Sequence, residues 1–347
     1  MRFYNKQHRF YCGIDLHARS MYVVIVDQAG EVLVGRNVRT DPKVFLDLIA
    51  PYREDVAVAV ECIFTWYWLA DLCQREGITF VLGHALYMKA IHGGKAKNDR
   101  IDAHKIAALL RGGMIPQAYV YPAPMRSTRD LMRRRLYLVR QRAELLSHIL
   151  NTNSQCNLPD FGGRINYKSN REALAERFLD ASVRKSIEVD LELLDHYDQL
   201  IQNLELYIMR TAKVHDADTF HRLRSIPGVG KILAMTILYE VHDIGRFPRV
   251  QQFASYSRLV KCSRESAGKK QGFGGAKIGN VHLKWAFSEA AVSFLSKCAP
   301  GRTIVERLRR KHGKAKALSI LAHKLGRAVY YMMTREKTFD MQRFVNC

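Results

Sequence analysis

The first 120 residues alternate between short apolar runs and stretches with helical periodicity. Two runs rich in valine are joined by the turn Ala29-Gly30, and two shorter, almost wholly apolar runs follow, as is typical of buried strands. Helical patterns occupy residues 65–76 and 99–111. The predicted strands are Met21–Val26, Glu31–Val38, Val56–Val60 and Ile78–Leu82. A hairpin followed by strand–helix units predicts an α/β domain, in which helices surround a mixed sheet.

The remaining residues carry mainly helical patterns. From about Met125 to Val214 these patterns are interrupted by the polar segment Asn151–Ser169. After that segment, one face of a predicted helix is apolar at steps of three and four: Leu191, Leu194, Tyr197, Ile201, Leu204 and Ile208. This face fits packing within the chain as well as it fits a contact between two chains. From about Phe220 onward the pattern predicts a mainly α, glycine-interrupted and basic domain.

Basic residues are concentrated outside the first domain. The net charge of the chain is +22, yet residues 1–120 hold 15 Lys and Arg against 12 Asp and Glu, whereas residues 121–347 hold 40 against 21. Such a surface attracts polyanions, because Lys and Arg side chains that contact phosphates release counterions. No basic amphipathic membrane anchor is visible, so the charge favours nucleic acid as the partner.

Cysteine spacing and hydropathy bear on location. The seven cysteines are odd in number and loosely spaced, which fits neither a disulfide framework nor a zinc site. No apolar run reaches about 18 residues, so no membrane span is predicted. The first residues lack the apolar core of a signal peptide. A reducing, cytoplasmic location is therefore expected.

Four carboxylates follow the predicted strands and begin a predicted helix. Asp15 lies on or beside the first strand, Glu61 ends a buried strand, and Asp99 and Asp102 share one helix face because they are three residues apart. Each could be a turn or cap residue, with Asp99 capping the helix and Asp102 in its first turn. Taken together, the four predict a site for Mg²⁺, as one or two ions that could polarise a scissile phosphate.

Two segments of the last third are suited to contact with a nucleic-acid backbone. Ser225–Gly230 is a glycine turn between two helical segments, and its exposed N–H groups could hold a phosphate. This turn predicts a helix-hairpin-helix element, or else a plain helix corner. The second segment spans residues 253–291, and its centre is rich in Gly and Lys. This composition predicts a flexible loop that approaches a DNA backbone. The predicted contacts are Gly228, Gly230, Lys231, Lys269, Lys270, Lys277 and Lys284. Composition alone leaves Ser263, Ser266 and Cys262 open as nucleophiles.

The front domain resembles a known family. The stretches GIDLHARSMYVVIVD, VAVECIFTWYWLADLCQREGI and KNDRIDAHKIAALLRGG are similar to the DEDD transposases of bacterial insertion sequences, bridge-RNA-guided recombinases related to Piv-type invertases. The resemblance implies a RuvC-like, ribonuclease H-like fold. It also implies that Asp15, Glu61, Asp99 and Asp102 are the metal-binding catalytic tetrad. At position 98 this chain has asparagine, where threonine is common in that family.

The last third resembles the C-terminal transposase domain of the same family. There, a serine before a small Gly-rich tract is catalytic, and Ser266 of Glu265-Ser266-Ala267-Gly268 is the matching residue, with Ser263 as the alternative. The resemblance implies a phosphoserine intermediate, donor and target DNA, a structured guide RNA, and a homodimer that assembles further on DNA. It divides the chain into a RuvC-like domain at 1–122, a helical or coiled-coil linker and dimerisation segment at 123–218, and a transposase domain at 219–347.

Three other functions remain open on the sequence. A Piv-type invertase would use the same chemistry on inverted sites. A RuvC-like structure-specific endonuclease would need the carboxylates and water but no serine. A non-catalytic DNA-binding protein would use the acidic residues structurally.

Overall fold

The computed structural model describes residues 2–91, 98–211, 214–274 and 278–346. The chain divides into two compact units, Met1–Pro124 and Met125–Cys347. Across the described ranges, none of the helices combines the length and the apolar character that a membrane span requires. The three-domain division expected from the sequence stays a prediction.

The first unit is built on a mixed sheet. Its strands are β1 (Phe3–Tyr4), β2 (Phe10–Leu16), β3 (Ser20–Asp27), β4 (Val32–Arg39), β5 (Val56–Glu61), β6 (Thr79–Gly83) and β7 (Ile115–Pro116). Its helices are α1 (Pro42–Ile49), α2 (Tyr67–Arg75), α3 (Ala85–Ile91) and α4 (Asp99–Arg111). Five strands pair in the order β4-β3-β2-β5-β6. The β4-β3-β2 pairs are antiparallel, and the β2-β5-β6 pairs are parallel.

Both faces of this sheet are covered. One apolar cluster joins the sheet to α1 and α2, through residues such as Phe45 and Leu69. A second cluster joins the opposite face to α3 and α4, through Met88 and Ala107. Because β5 is central and buried along Val56–Val60, it reads as one apolar run, as strands covered on both faces do. The α/β prediction is confirmed, and the sheet order is consistent with a RuvC-like fold.

The second unit is mostly helical, as predicted. Its helices are α5 (Ala123–Gln155), α6 (Ala181–Thr211), α7 (Ala217–Arg224), α8 (Lys231–Val241), α9 (Val250–Tyr256), α10 (Val281–Lys297), α11 (Ala299–His312), α12 (Lys314–Arg335) and α13 (Met341–Asn346). Its strands are β8 (Cys262–Ser266) and β9 (Lys269–Gly274), which form an antiparallel pair. A polar connection with short 3₁₀ turns links α5 to α6, where the sequence predicts a break.

The apolar face predicted on α6 is used within the chain. Leu194 and Ile208 are buried, and the other members of that face are half-buried. Leu194 belongs to a cluster with Ile149 of α5 and Phe178 of the connection. This face therefore serves the core of the unit, which leaves any contact between chains to other surfaces of the helix.

A buried ionic network joins three helices of this unit. Glu240 of α8 is 2% exposed and accepts hydrogen bonds from Arg129 and Arg133 of α5, at 3.1 and 2.7 Å. Asn280, which caps α10, donates its side-chain amide to the same carboxylate at 2.7 Å. Burial opposes ionisation, but the two guanidinium groups and the Asn280 hydrogen bond outweigh it and lower the pKa of Glu240 to about 2.

Candidate functional site

The first two site residues lie where β2 ends. Asp15 is on the strand and His17 directly follows it, so the two side chains leave the same face. Two hydrogen bonds hold the carboxyl end of β2 in place. The His17 N–H donates to the Ser20 carbonyl at 3.0 Å, and the Thr65 hydroxyl donates to the Leu16 carbonyl at 2.9 Å. The latter bond also fixes the segment that follows Glu61 beside the end of β2.

Two further carboxylates come from the first turn of α4. Asn98 caps this helix, since its side-chain oxygen accepts a hydrogen bond from the Ile101 N–H at 2.8 Å. The possibility that Asp99 is the capping residue is therefore wrong, because Asn98 fills that position. Asp99 and Asp102 are left on the first turn, with the Lys105 ammonium 3.4 Å from Asp102 Oδ1.

The helix reaches the strand because β2 has a glycine opposite it. A Cβ built at Gly13 would lie 2.9 Å from Ala107 Cα and closer still to the Ala103 carbonyl and the Ala107 nitrogen. Only a residue without a side chain allows the α4 backbone to approach this closely. The close packing places the first turn of α4 beside the end of β2.

Three potential ligand atoms meet at this point. His17 Nε2 lies 3.3 Å from Asp15 Oδ2 and 3.7 Å from Asp99 Oδ1, and the three groups present donor atoms within 4.8 Å of one another. Ligand atoms around an octahedral divalent ion with bonds of about 2.1 Å lie roughly 3–4 Å apart. The donor set of two carboxylates and an imidazole therefore fits a divalent cation.

Glu61 lies on the neighbouring strand at the same level. The parallel register pairs Ile14 with Val60, so the next residues along the two strands are Asp15 and Glu61. Adjacent strands are about 4.8 Å apart. Asp102 is also close enough to Asp15 to raise its pKa electrostatically. The structure thus brings donor atoms of Asp15 and Asp99 together with His17. Glu61 lies on the adjacent strand and Asp102 on the same helix turn as Asp99, both outside that group of three.

Electrostatics of the cluster favour a bound cation. Burial is the main cause that raises the pKa of Asp15, and the negative charges of Asp99 and Asp102 add to it, while His17 opposes it. Carboxylates so close together repel one another when ionised. A divalent cation would relieve that repulsion.

Sequence reasoning missed His17. A signal was present, because a spacing of two on a strand places His17 on the face of Asp15. The resemblance directs attention to four acidic residues and gives no role to a histidine.

Ser266 lies at the tip of a β-hairpin, where the sequence predicts a flexible loop. The predicted loop is wrong: Ser266 pairs with Lys269 across the turn Ala267-Gly268, and both turn residues have positive φ, 49° and 71°. This is the geometry of a two-residue type I′ turn. The hairpin escaped prediction because its polar composition lacks the apolar alternation of a half-buried strand. Ser266 and Lys269 are exposed.

The hairpin segment, which is the part of the chain between Arg258 and Asn280, is held at both ends by hydrogen bonds. The Arg258 guanidinium donates to the carbonyls of Ile278 and Gly279, both at 3.0 Å. The Asn280 N–H donates to the Tyr256 carbonyl at 2.6 Å. Because Asn280 also contacts Glu240, the buried ionic network connects to the point where the hairpin segment rejoins the helical core.

The glycine turn between α7 and α8 has two different glycines. Gly228 has φ of +85°, and a Cβ there would lie 2.5 Å from the Ser293 carbonyl carbon, so its packing against α10 requires glycine. Gly230 is the N-cap of α8 and is open to solvent, with Lys231 as the first helical residue. A cleft of about 550 Å³ separates this turn from α6, with Leu206 and Met209 on the α6 side.

The predicted lysine contacts are distributed over this unit. Lys231 and Lys284 are exposed in the first turns of α8 and α10, and Lys269 is exposed beside the hairpin turn. Lys270 lies on β9. Lys277 lies outside the described residues.

Comparison with known proteins identifies the family. The IS110 DEDD transposase family, whose description is "Transposase", matches residues 12–155. A second family, "Transposase IS116/IS110/IS902 family", matches residues 220–306. The first match contains the whole carboxylate cluster, and the second contains Ser266. The chain belongs to the IS110 family of DEDD transposases. As an IS110-family transposase, it is a DNA-cutting and DNA-rejoining enzyme that acts on DNA.

Individual relatives agree with this assignment. The transposase for insertion sequence element IS1111A of Coxiella burnetii is 24% identical over 94% of this chain and 90% of the relative. The IS1328 transposase of Yersinia enterocolitica is 29% identical over 43% of this chain and 46% of the relative. The IS110 43.6 kDa protein of Streptomyces coelicolor is 31% identical over 35% of this chain and 30% of the relative. Membership of the DEDD family implies use of a divalent metal.

Proposed function

We propose that this IS110-family transposase cuts and rejoins DNA through a covalent phosphoserine intermediate formed on Ser266. The observation that carries the proposal is the exposure of Ser266 at the tip of a tight turn, beside the cationic Lys269. A hydroxyl at such a tip can approach a DNA backbone, and the adjacent lysine can contact its phosphates.

The strand exchange proceeds in two displacements at phosphorus. In the first, the bond from Ser266 Oγ to phosphorus forms as the bond to the 3′ oxygen breaks, and the serine proton is lost while the leaving oxygen is protonated. In the second, the 3′-hydroxyl of another strand attacks the phosphoserine and releases Ser266. The number of phosphodiester bonds is conserved, so no external energy source is needed.

Asp15, Glu61, Asp99 and Asp102 act in this proposal as the metal-binding tetrad. When bound, one or two Mg²⁺ ions would neutralise phosphate charge and lower the pKa of the attacking hydroxyl. The protein supplies oriented carboxylates on rigid elements, two from strand ends and two from one helix turn. Because a serine hydroxyl is a weak nucleophile at neutral pH, such activation is needed.

The basic surface of the second unit is proposed to hold DNA and a structured guide RNA. The helices α8, α10 and α12 have no acidic residue in their first turns, and Lys231, Lys284 and Lys314 lie there instead. A lysine at a helix N-terminus is unfavourable by itself, since it opposes the helix dipole. At α8 and α12, whose first turns have no side-chain cap, a phosphate bound by the lysine and the helix N–H groups would reverse that penalty. At α10, Asn280 already caps the first N–H groups, so Lys284 alone would contact a phosphate there. The turn Ser225–Gly230 is then a helix-hairpin-helix contact.

A homodimer that assembles further on DNA is proposed as the working form. Because the predicted face of α6 packs within the chain, the contact would use its other side, where Leu193, Leu200 and Tyr207 are exposed at seven-residue intervals. Residues at seven-residue intervals can fill one of the two apolar positions of a coiled-coil heptad. A cytoplasmic location accords with a DNA substrate.

Replacing Ser266 with alanine should abolish covalent protein–DNA adducts on cognate DNA. Adducts are trapped with a nicked suicide substrate and resolved on denaturing gels. Ser263→Ala is the matched control, because Ser263 lies three residues away on the same strand. We expect adducts from the wild type and from Ser263→Ala only. Cleavage by water without any adduct in the wild type would instead identify a RuvC-like endonuclease, and adducts that persist in Ser266→Ala would contradict the nucleophile assignment.

Replacing Asp102 with asparagine should abolish divalent-metal-dependent strand cleavage, with a rate loss of at least about 100-fold. The change keeps the shape of the side chain but removes a charge from the cluster. Cleavage rates are measured against Mg²⁺ concentration, with Asp47→Asn, a change on α1, as the control. Cleavage at the wild-type rate in Asp102→Asn would show that the carboxylates are structural, as in a non-catalytic DNA-binding protein.

A further inference from the structure

We infer that His17 is a ligand of the metal in this site, and that the site therefore binds a first-row transition ion such as Mn²⁺ more tightly than Mg²⁺. The inference rests on the proposed function, because it takes the carboxylate cluster to be a metal site. It adds a residue outside the DEDD tetrad and a different order of metal preference.

The position of the imidazole carries the inference. The same ring atom, Nε2, faces both Asp15 and Asp99, at 3.3 and 3.7 Å from their nearest oxygens. A nitrogen that faces two carboxylates at this range lies where a cation between them would find its third ligand. The His17 side chain is about half exposed, at 49%, so water can complete the coordination sphere.

The backbone fixes this position. His17 follows β2, and its N–H is bonded to Ser20 across the turn into β3. On the other side, Asp99 is held by α4, which packs tightly on Gly13. The histidine is therefore held at the same end of β2 as Asp15, and α4 holds Asp99 beside both.

The donor set determines the preference. Mg²⁺ is a hard ion that prefers oxygen ligands in a strict octahedron, whereas imidazole nitrogen suits transition ions. Replacing one oxygen or water ligand of the site by imidazole therefore raises affinity for Mn²⁺ relative to Mg²⁺. An all-carboxylate tetrad would show a weaker bias toward Mn²⁺.

The test measures metal binding directly on the full-length, metal-free protein in the absence of DNA. Mn²⁺ affinity is obtained by electron paramagnetic resonance titration, Mg²⁺ affinity by competition, and the ligand type by electron spin echo modulation, which detects a coordinated ¹⁴N. We expect imidazole ¹⁴N modulation in the wild type. In His17→Asn and His17→Gln, the modulation should vanish and Mn²⁺ affinity should fall about tenfold or more, with a smaller change for Mg²⁺.

His104→Gln is the matched control. His104 is exposed on α4 and points about 160° away from Asp102 around the helix, so both the modulation and the affinities should match the wild type. Oxygen-only coordination in the wild type, or ¹⁴N modulation that persists in both His17 variants, would overturn the inference. Neither of these results would affect adduct formation by Ser266, so the proposed function would still stand. Conversely, an absence of adducts would contradict the proposed function but would not change the metal ligands seen by resonance.

Discussion

Replacing Glu240 with alanine is expected to lower the free energy of unfolding of the second unit by about 3–5 kcal/mol, because it leaves two guanidinium groups without their shared buried partner. The Arg129 side chain is 9% exposed and cannot turn to solvent, although Arg133, at 34%, is partly hydrated. The change also removes the acceptor of the Asn280 amide. Hydrogen exchange, resolved by peptide, measures the loss separately for each unit.

The Glu240 carboxylate also predicts a pH dependence. Its pKa is lowered from 4.5 to about 2 on folding, so its contribution is complete above pH 4.5 and is lost as the pH falls from 4.5 towards 2. A lowering of this size corresponds to a contribution on the order of 3 kcal/mol. The stability difference between the wild type and Glu240→Gln should therefore shrink across that interval. A difference that stays constant from pH 5 to pH 2.5 would contradict this assignment.

Glu205 provides the control for Glu240. It also receives two hydrogen bonds from an α5 arginine, Arg135, but its side chain is 35% exposed. Water can replace much of that interaction, so Glu205→Ala should cost about 1 kcal/mol or less. Equal losses for the two alanine variants would mean that burial does not govern the network.

The loss at Glu240 should extend to function through the hairpin. Asn280 caps α10 and ties the end of the hairpin segment to Tyr256. Without Glu240, this residue loses one of its anchors, and Ser266 is held less firmly. Adduct yield should fall in Glu240→Ala even at a temperature where the unit remains folded, and Glu240→Gln should recover part of it, because glutamine can still accept the Asn280 bond.

The sheet and the principal helices of the first unit could be predicted because burial determines the spacing of apolar residues along each strand and helix. Val56–Val60 is apolar throughout since β5 is covered on both faces, and the predicted helix at 99–111 is observed with those bounds. The same logic failed at residues 262–274, where the hairpin places polar residues on its strands. Its turn depends on positive φ at Ala267. Alanine rarely adopts that conformation, so the sequence does not show the Asn-Gly or Asp-Gly signal of a tight hairpin turn.

The carboxylate site was predictable in its members but not in its full composition. Spacing on strands and helices predicted that the acidic residues share one end of the sheet, and the same spacing places His17 on the face of Asp15. Asn98 and Asp99 are both residue types that cap helices, and only the observed hydrogen bond to the Ile101 N–H decides between them. Gly228 shows a similar limit: the phosphate contact that the sequence indicates stays a prediction, and the structure adds that its missing side chain is needed against α10. Close approach of backbones is a property that a linear pattern does not record.

Replacing Gly13 with alanine is expected to destabilise the first unit by about 3 kcal/mol and to weaken divalent-metal binding more than tenfold. The added Cβ would press against backbone atoms of Ala103 and Ala107, which cannot rotate away as a side chain could, so α4 must move off the sheet. Since Asp99 and Asp102 travel with α4 while Asp15 stays on β2, the carboxylates separate.

Gly35 provides the control for Gly13, because it also lies on a strand of this sheet but has room for a Cβ, with its nearest neighbour at 3.8 Å. Gly35→Ala should leave stability and metal affinity within error of the wild type or slightly raise stability, because alanine restricts the unfolded chain more than glycine does. The two alanine variants are compared by denaturant unfolding and by Mn²⁺ titration. Wild-type metal affinity in a destabilised Gly13→Ala would mean that the position of α4 does not control the site, whereas loss of both properties together would tie metal binding to the packing of one helix on one glycine.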